Sequence, residues 1–562
     1  MSAVRHPRLP AAPTLAMALT MTLLCGAPGA TAAASAAAPQ TPTSNAPWLA
    51  DLGDGRYRNP VLHADYSDPD AIRVGDRFYM TASSFSNLPG LPLLESQDLV
   101  NWTLVGHALP ALQPQEIFAA PQYGKGVWAP CLRYHNGRYY IFYPDPDRGI
   151  YVIEADNFRG PWSAPRLLLA GRGLIDPAPF WDDDGQAWLT HAWAFSRAGK
   201  NNIITLRHMD AGATRMLDDQ GKDIINGADY PGYHTVEGPK VYKANGYYYV
   251  FAPAGGVEQG WQAVFRSHSL AGPYEVRKVM DQGDTPINGP HQGAWVSAPD
   301  GRDWFLHFQD KGAYGRVIHL QPMQWRDGWP LIGQPSRQPG VGEPVITYVK
   351  PVQGKPLAAP ATSDDFSAPQ LGLQWQWGAN PQPGWYSLSA KPGTLRLYTQ
   401  SLADADDYVR ASPAILTQKA PASRFLVTTR VRLEQARDGD RAGLIVNGMQ
   451  YAWLGLRHKD GITALAWTIC GPFGPRCKEQ SMVVLEPAPQ ELTLRAYMNE
   501  GAFVNFSYSV DGQTFKPVGS PFPVTRGTWV GAQIGLFGAG RQPGSWLDVQ
   551  HFDLTAPGAG PY

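Results

Sequence analysis

An all-β chain is predicted, a five-bladed β-propeller followed by a C-terminal β-sandwich of jelly-roll-like build. The first observation is a repeat. Five self-similar units of about 50–60 residues, each an apolar run, a tight turn and a second β-rich run, are the pattern of one propeller blade per unit. The second is composition: Gly 59 and Pro 52, with 11% aromatic and only 17% charged residues, suit many short strands joined by tight turns. The third is length, because 562 residues are too many for one core and divide naturally into two domains.

Residues 1–35 carry Arg5 and Arg8, then the apolar stretch LAMALTMTLLCGA, then the small residues GATAAASAAA, the three-part layout of a secretory signal peptide. Cys25 follows Leu24 rather than a small residue, which argues against lipidation, and no later apolar run reaches the roughly 18 residues of a membrane span. An exported protein, periplasmic or extracellular, with no membrane attachment after cleavage is expected. Residues 36–54 read as a flexible N-terminal segment and residues 55–345 as the propeller. Connectors such as SQDLVNWTLVGHAL, ADNFRGPWS and SHSLAGPYE have the turn-then-alternation pattern of outer strands. A Pro-rich linker occupies residues 346–362. In residues 363–556 the runs TLRLYT, RFLVTTRVRL, GLIVNGMQYAWLGL, ALAWTI, QELTLRAYM, FVNFSYSV and AQIGLF alternate apolar with polar residues, and Asp511-Gly512 marks a hairpin, as in a sandwich.

A formal net charge of -1 gives no footprint for nucleic acid or an anionic surface, so a neutral partner fits. Nothing in the chain sets an oligomeric state. Cys470 and Cys477 bracket the segment GPFGPR and, in an exported protein, are well placed to form a disulfide. Cys131 then remains as a small buried hydrophobe.

Three units open on an acid: Asp68 in SDPD, Asp176 in IDP and Glu237 in VEGP. The other two open on Trp128-Ala129-Pro130 and Gly289-Pro290-His291. An isolated Asp before Pro is first of all a turn starter. Three acids at matching points of a repeat are different, because the first strand of each blade lines the central channel and Asp68, Asp176 and Glu237 should converge there. Asp182, Asp183 and Asp184 belong to a turn before Gly185, and Asp70 to local hydrogen bonding.

The stretches NPVLHADYSDPDAIRVGDRFYMTASSF, VWAPCLRYHNGRYYIFY, LIDPAPFWDDDGQAWLTHAW, VEGPKVYKANGYYYVFAPAGG and GRVIHLQPMQWRDGWPLIG together resemble glycoside hydrolase family 43. The tail from SDDFSAPQLGLQWQWGANP onward is similar to the sandwich of that family's two-domain β-xylosidases and α-L-arabinofuranosidases. The resemblance implies a glycosidase that inverts anomeric configuration, with Asp68 as general base, Glu237 as general acid and Asp176 as the group that tunes the acid's pKa. It also implies that Arg316 contacts the innermost sugar and pairs with a catalytic carboxyl, and that His291 is the central histidine. Phe85 and Trp128 match aromatic positions that would meet the sugar, and Phe473 lies in a sandwich loop that would close over the pocket. No cofactor is required on this reading, although Ca²⁺ in the channel is compatible with it.

The chemistry explains the carboxyls. One carboxylate takes a proton from water on one side of the anomeric carbon while a protonated carboxyl protonates the departing oxygen, roughly 6.5–9.5 Å away. An ordinary Glu has a pKa of about 4.3, so Glu237 needs burial and an ionised neighbour to keep its proton. The expected substrate is an oligosaccharide or polysaccharide, with xylose released from xylo-oligosaccharides, or arabinose from arabinoxylan or related hemicellulose. The alternatives are an endo-arabinanase, which the second domain argues against, and a non-catalytic carbohydrate-binding propeller, which three intact acids argue against.

Overall fold

The computed structural model describes residues 46–402, 408–471 and 477–558. Five four-stranded antiparallel sheets follow one another along the chain and form the blades, the fourth sheet being widened to six strands by Gly342–Glu343 and Gln334–Pro335. Their innermost strands are Asp70–Val74, Cys131–His135, Leu174–Trp181, Lys240–Ala244 and His291–Ser297. The second strands are buried on both faces, as Arg138–Asp145 and Tyr247–Ala254 illustrate, because each blade is covered by its neighbours. Asn136-Gly137 and Asn245-Gly246 both take positive φ, and these are the residues that suit the tight turn of a two-residue hairpin.

One apolar cluster fills each seam between adjacent blades. Phe78 and Met80 of the first meet Trp304 and Leu306 of the fifth, Leu93 meets Ile141, Phe142 meets Leu189, Ile204 meets Val250, and Phe251 meets Phe305. The ring closes without sharing a blade between the chain ends. Instead Arg56–Arg58 pairs with Thr347–Val349, and Leu62 bridges Ile318. Two expectations change here. From Ala46 onward the N-terminal segment is anchored rather than loose, with the Trp48 indole donating to the Pro60 carbonyl and Asp51 paired with buried Lys350. The segment expected as linker likewise contributes the strand Thr347–Val349.

The second domain is a sandwich of an eight-stranded and a seven-stranded sheet. Leu444, Leu454 and Leu465 of one face Leu494, Val504 and Phe552 of the other across a continuous core. Asp511-Gly512 turns between Phe503–Ser509 and Lys516–Pro523, which pair antiparallel. The sandwich grips the propeller through backbone and side chain alike. Leu88 and Trp377 exchange both backbone hydrogen bonds, and the Tyr314 hydroxyl donates to the Ser423 and Asn499 carbonyls.

Candidate active site

Asp68 and Asp176 each precede a proline and each take φ 53°, a left-handed conformation that costs a non-glycine residue energy and is disfavoured before proline. In the fourth blade the same place is held by Gly238, φ 59°, immediately before Pro239. Glu237 therefore stands one residue earlier than the matching point expected for it. The offset has a use: Gly238, freed of a side chain, turns its N–H to the Asp176 carboxylate at 2.8 Å, and a Cβ there would strike Gln292.

Asp68 is buried and fully engaged. Its Oδ2 accepts from the Ser67 and Ser83 hydroxyls at 2.8 and 2.6 Å, and its Oδ1 from Arg316 Nη1 at 3.0 Å. Asp176 is also buried, and burial together with the charge of Asp68 raises its pKa to about 6. The Gly238 N–H, Lys240 and Gln292 act in the other direction. Glu237 is raised further, to about 8, by burial and then by the charges of Asp176 and Asp68, while Arg316 opposes the shift. About a quarter of the Glu237 side chain, 24%, still reaches solvent, so its proton has a route to water. His291 is fully buried, its Nε2 lies 3.5 Å from Glu237 Oε1, and burial followed by the nearby Arg316 lowers its pKa to about 3, which keeps it neutral.

An aromatic wall stands beside these groups. Phe85, itself at φ 51°, is pinned by two backbone hydrogen bonds to Val127 and meets Trp128 at 6.2 Å between ring centroids. Trp128 meets Trp529 at 5.9 Å, and the Arg316 guanidinium lies 5.8 Å from the Trp529 ring. Trp529 comes from the sandwich and was not anticipated, since nothing in the run RGTWVG repeats or alternates. Its loop is held by Arg526, which reaches Glu258 and Asp310 of the propeller at 3.0 and 3.3 Å. Asp65 holds it from the other side, because this one buried carboxylate accepts from the Arg316 N–H and from the Gly531 N–H of the sandwich, both at 2.9 Å.

Asp68, Asp176, Glu237, Arg316 and His291 are thus brought together, with Phe85 and Trp128 at their edge. Phe473 lies outside the described residues. Cys470 and Cys477 form a disulfide, and Cys131 is free and buried, its thiol pushed up to about 12 chiefly by burial. Asp70 does more than local bonding: it accepts from Arg133 and the Leu132 N–H across the blade boundary, with Lys240 at 3.8 Å. Among the described residues no group of three or more His, Cys, Asp or Glu is arranged to hold a metal. The unpartnered His291 ring nitrogens are a poor match for Ca²⁺, which takes six to eight oxygens. The donor set does not make a protein cage for that ion, and no step is routed through it.

The sequence model of the glycosyl hydrolases family 43 matches residues 57–330, and that of the β-xylosidase C-terminal concanavalin A-like domain matches residues 363–555. A protein of Xylanibacter ruminicola is 39% identical over 506 residues, 90% of either chain. A non-reducing end α-L-arabinofuranosidase of Bacteroides ovatus is 30% identical over 420 residues, 71% of this chain and 75% of its own. The crystal structure of a xylan β-1,4-xylosidase from Bacillus halodurans superimposes with a TM-score of 0.78 at 25% identity, covering 89% of this chain and 99% of that one. The chain spans 64% of a longer solved protein, a bifunctional GH43-CE of Bacteroides eggerthii, at 28% identity and a TM-score of 0.77 over 89% of its own length.

Proposed function

This chain belongs to glycosyl hydrolase family 43, and from that premise we propose that it is an inverting exo-glycosidase releasing xylose from the non-reducing end of xylo-oligosaccharides. Asp68 is the general base, Glu237 the general acid, and Asp176 the group that keeps Glu237 protonated. The observation that carries this reading is the split in environment. Asp68 is clamped by one guanidinium and two hydroxyls, the bonding an ionised carboxylate makes, whereas Glu237 holds its proton up to about pH 8.

In the proposed reaction water enters beside Asp68, which takes its proton as the oxygen attacks the anomeric carbon. Glu237 gives its proton to the departing oxygen, and the bond to the leaving chain breaks in the same displacement. Arg316 holds Asp68 in place and offers its remaining donors to the innermost sugar. Neutral His291, 3.5 Å from Glu237, sits beside the acid without competing for its proton. The aromatic wall of Phe85, Trp128 and Trp529 presents ring faces to the C–H side of a pentose. Arabinose is the second reading, supported by the named activity of the Bacteroides ovatus relative. The first 35 residues support export of the enzyme to where such chains occur.

The deciding experiment follows products of xylo-oligosaccharides, arabinoxylan and arabinan by NMR from the first turnover. Free α-xylose from β-linked chains is expected. A retained anomer would overturn inversion, longer oligosaccharides released first would make the enzyme endo-acting, and sugar binding without cleavage of any aryl β-xyloside or aryl α-L-arabinofuranoside would remove the catalytic reading.

A further inference from the structure

Below the three carboxyls the propeller axis does not continue as an open tube. Buried Asp70, Arg133 and Lys240 form an ion layer across it, with Arg133 2.8 Å and Lys240 3.8 Å from Asp70. Beyond that layer the axis opens again, on the opposite face, into a funnel of about 490 Å³ to which all five innermost strands contribute. That volume is within the range of pockets that take small ligands, about 300–1,000 Å³.

Its walls are rings and paired charges. Tyr134 is 44% exposed there. Trp181 stacks on His135 at 4.5 Å and 10°, which leaves a flat double surface, and Tyr242 lies 5.1 Å from Trp295. Three cations, Arg73, Arg133 and Lys243, and one carboxylate, Asp183, line it; Asp70 pairs with Arg133 and Lys240 from behind the wall, Asp182 and Asp183 pair with Lys243, and Arg73 donates only to the Gly75 carbonyl. The funnel therefore offers N–H donors and a carboxylate acceptor, with its cations other than Arg73 engaged by carboxylates. A phosphate-bearing or strongly anionic ligand would find a single cation without a carboxylate, Arg73, whereas a ligand with hydroxyls on its edges and C–H groups on its faces suits rings flanked by N–H donors and a carboxylate acceptor.

We propose that this funnel is a second saccharide-binding site, taking a neutral pentose chain of the xylan type on the face opposite the catalytic mouth. The ion layer separates the two, so a chain seated there is held and not cut. The choice of chain rests on the substrate class proposed above, whereas the site itself rests on the funnel's own residues.

The test is calorimetric titration of xylohexaose into the full-length Glu237→Gln protein, where turnover is blocked. Two sites per chain are expected. Tyr134→Ala should weaken one of them about ten-fold, the loss of a ring platform, and Arg316→Ala should remove the other. Arg73→Ser gives an independent variant should Tyr134→Ala fail to fold, and it should weaken the same site. A single site that is lost with Arg316→Ala and indifferent to Tyr134→Ala and Arg73→Ser would overturn the proposal while leaving the hydrolase reading intact. Affinity at the second site that collapses as salt is raised would overturn the neutral class of ligand. Turnover of xylohexaose by the wild-type enzyme, followed separately, carries the hydrolase reading whichever stoichiometry is found.

Discussion

At the proposed active site three carboxyl groups, Asp68, Asp176 and Glu237, have one guanidinium in direct contact among the described residues, that of Arg316 on Asp68. One layer down the same axis a single carboxylate, Asp70, faces two cations, Arg133 and Lys240. The upper layer draws its acids from blades one, three and four and the lower its charges from blades one, two and four, and the two differ in charge balance. The lower layer sets one carboxylate between two cations, and the contacts tie blades one, two and four together. The upper layer is left short of cations, and burial first, then the charges of neighbouring carboxylates, hold protons where a carboxyl would normally have lost them, on Asp176 to about pH 6 and on Glu237 to about pH 8. An imbalance of this kind costs stability and supplies an acid for work near neutrality.

Removing the proton donor breaks the contrast most severely. Glu237→Gln should lower kcat on xylobiose by about 10²–10⁴-fold and much less on aryl glycosides with activated leaving groups, and equal losses on both would reject the acid role. The same variant should be the more heat-stable protein at neutral pH. Because the folded-state pKa of Glu237 is raised from 4.5 to about 8, the wild type loses stability as pH rises through that window, and the Gln variant's advantage in Tm should grow from pH 4.5 and level off above about pH 8.

Asp176→Asn removes the ionised neighbour. The alkaline limb of the kcat/KM profile should then move to lower pH, by about one unit, since Glu237 would release its proton sooner. Lys240→Met acts from the lower layer. The protein should lose about 1–3 kcal/mol of stability, measured by denaturant unfolding, as Asp70 loses a partner. Asp65→Asn, outside both layers, should have the smallest effect. The Arg316 and Gly531 N–H groups go to different oxygens of Asp65 and an amide turns one of those oxygens into a donor, so KM should rise about three- to ten-fold, the worth of one hydrogen bond, with kcat little changed.

The propeller was legible because each blade repeats a local grammar, an apolar run, a glycine turn and a second apolar run, with Asn-Gly or Asp-Gly at the turn in four blades and Gly75-Asp76 in the first. Asp68 and Asp176 could be found for the same reason, since the strained residue before each proline recurs at a fixed place. Glu237 was found with its register one residue off, because a glycine in the left-handed position does the backbone work that Asp does in the other blades. What could not be read were groups whose partners are distant in sequence and follow no period. Trp529 reaches the wall from a loop of the second domain. Asp70 looks like a local turn residue until Arg133, in the next blade, and Lys240, two blades further on, are set beside it. Asp65 carries no signal at all, because its role is to meet one N–H from each domain.

The buried floor of Asp70, Arg133 and Lys240 also sets the order in which things leave. On the proposed exo action the freed pentose occupies the deepest part of a cul-de-sac and cannot depart rearward, so the shortened chain must vacate the entrance before the monosaccharide can. Accumulating xylose should therefore compete with substrate for the same doorway, and the enzyme should slow on its own product well before the oligosaccharide is exhausted.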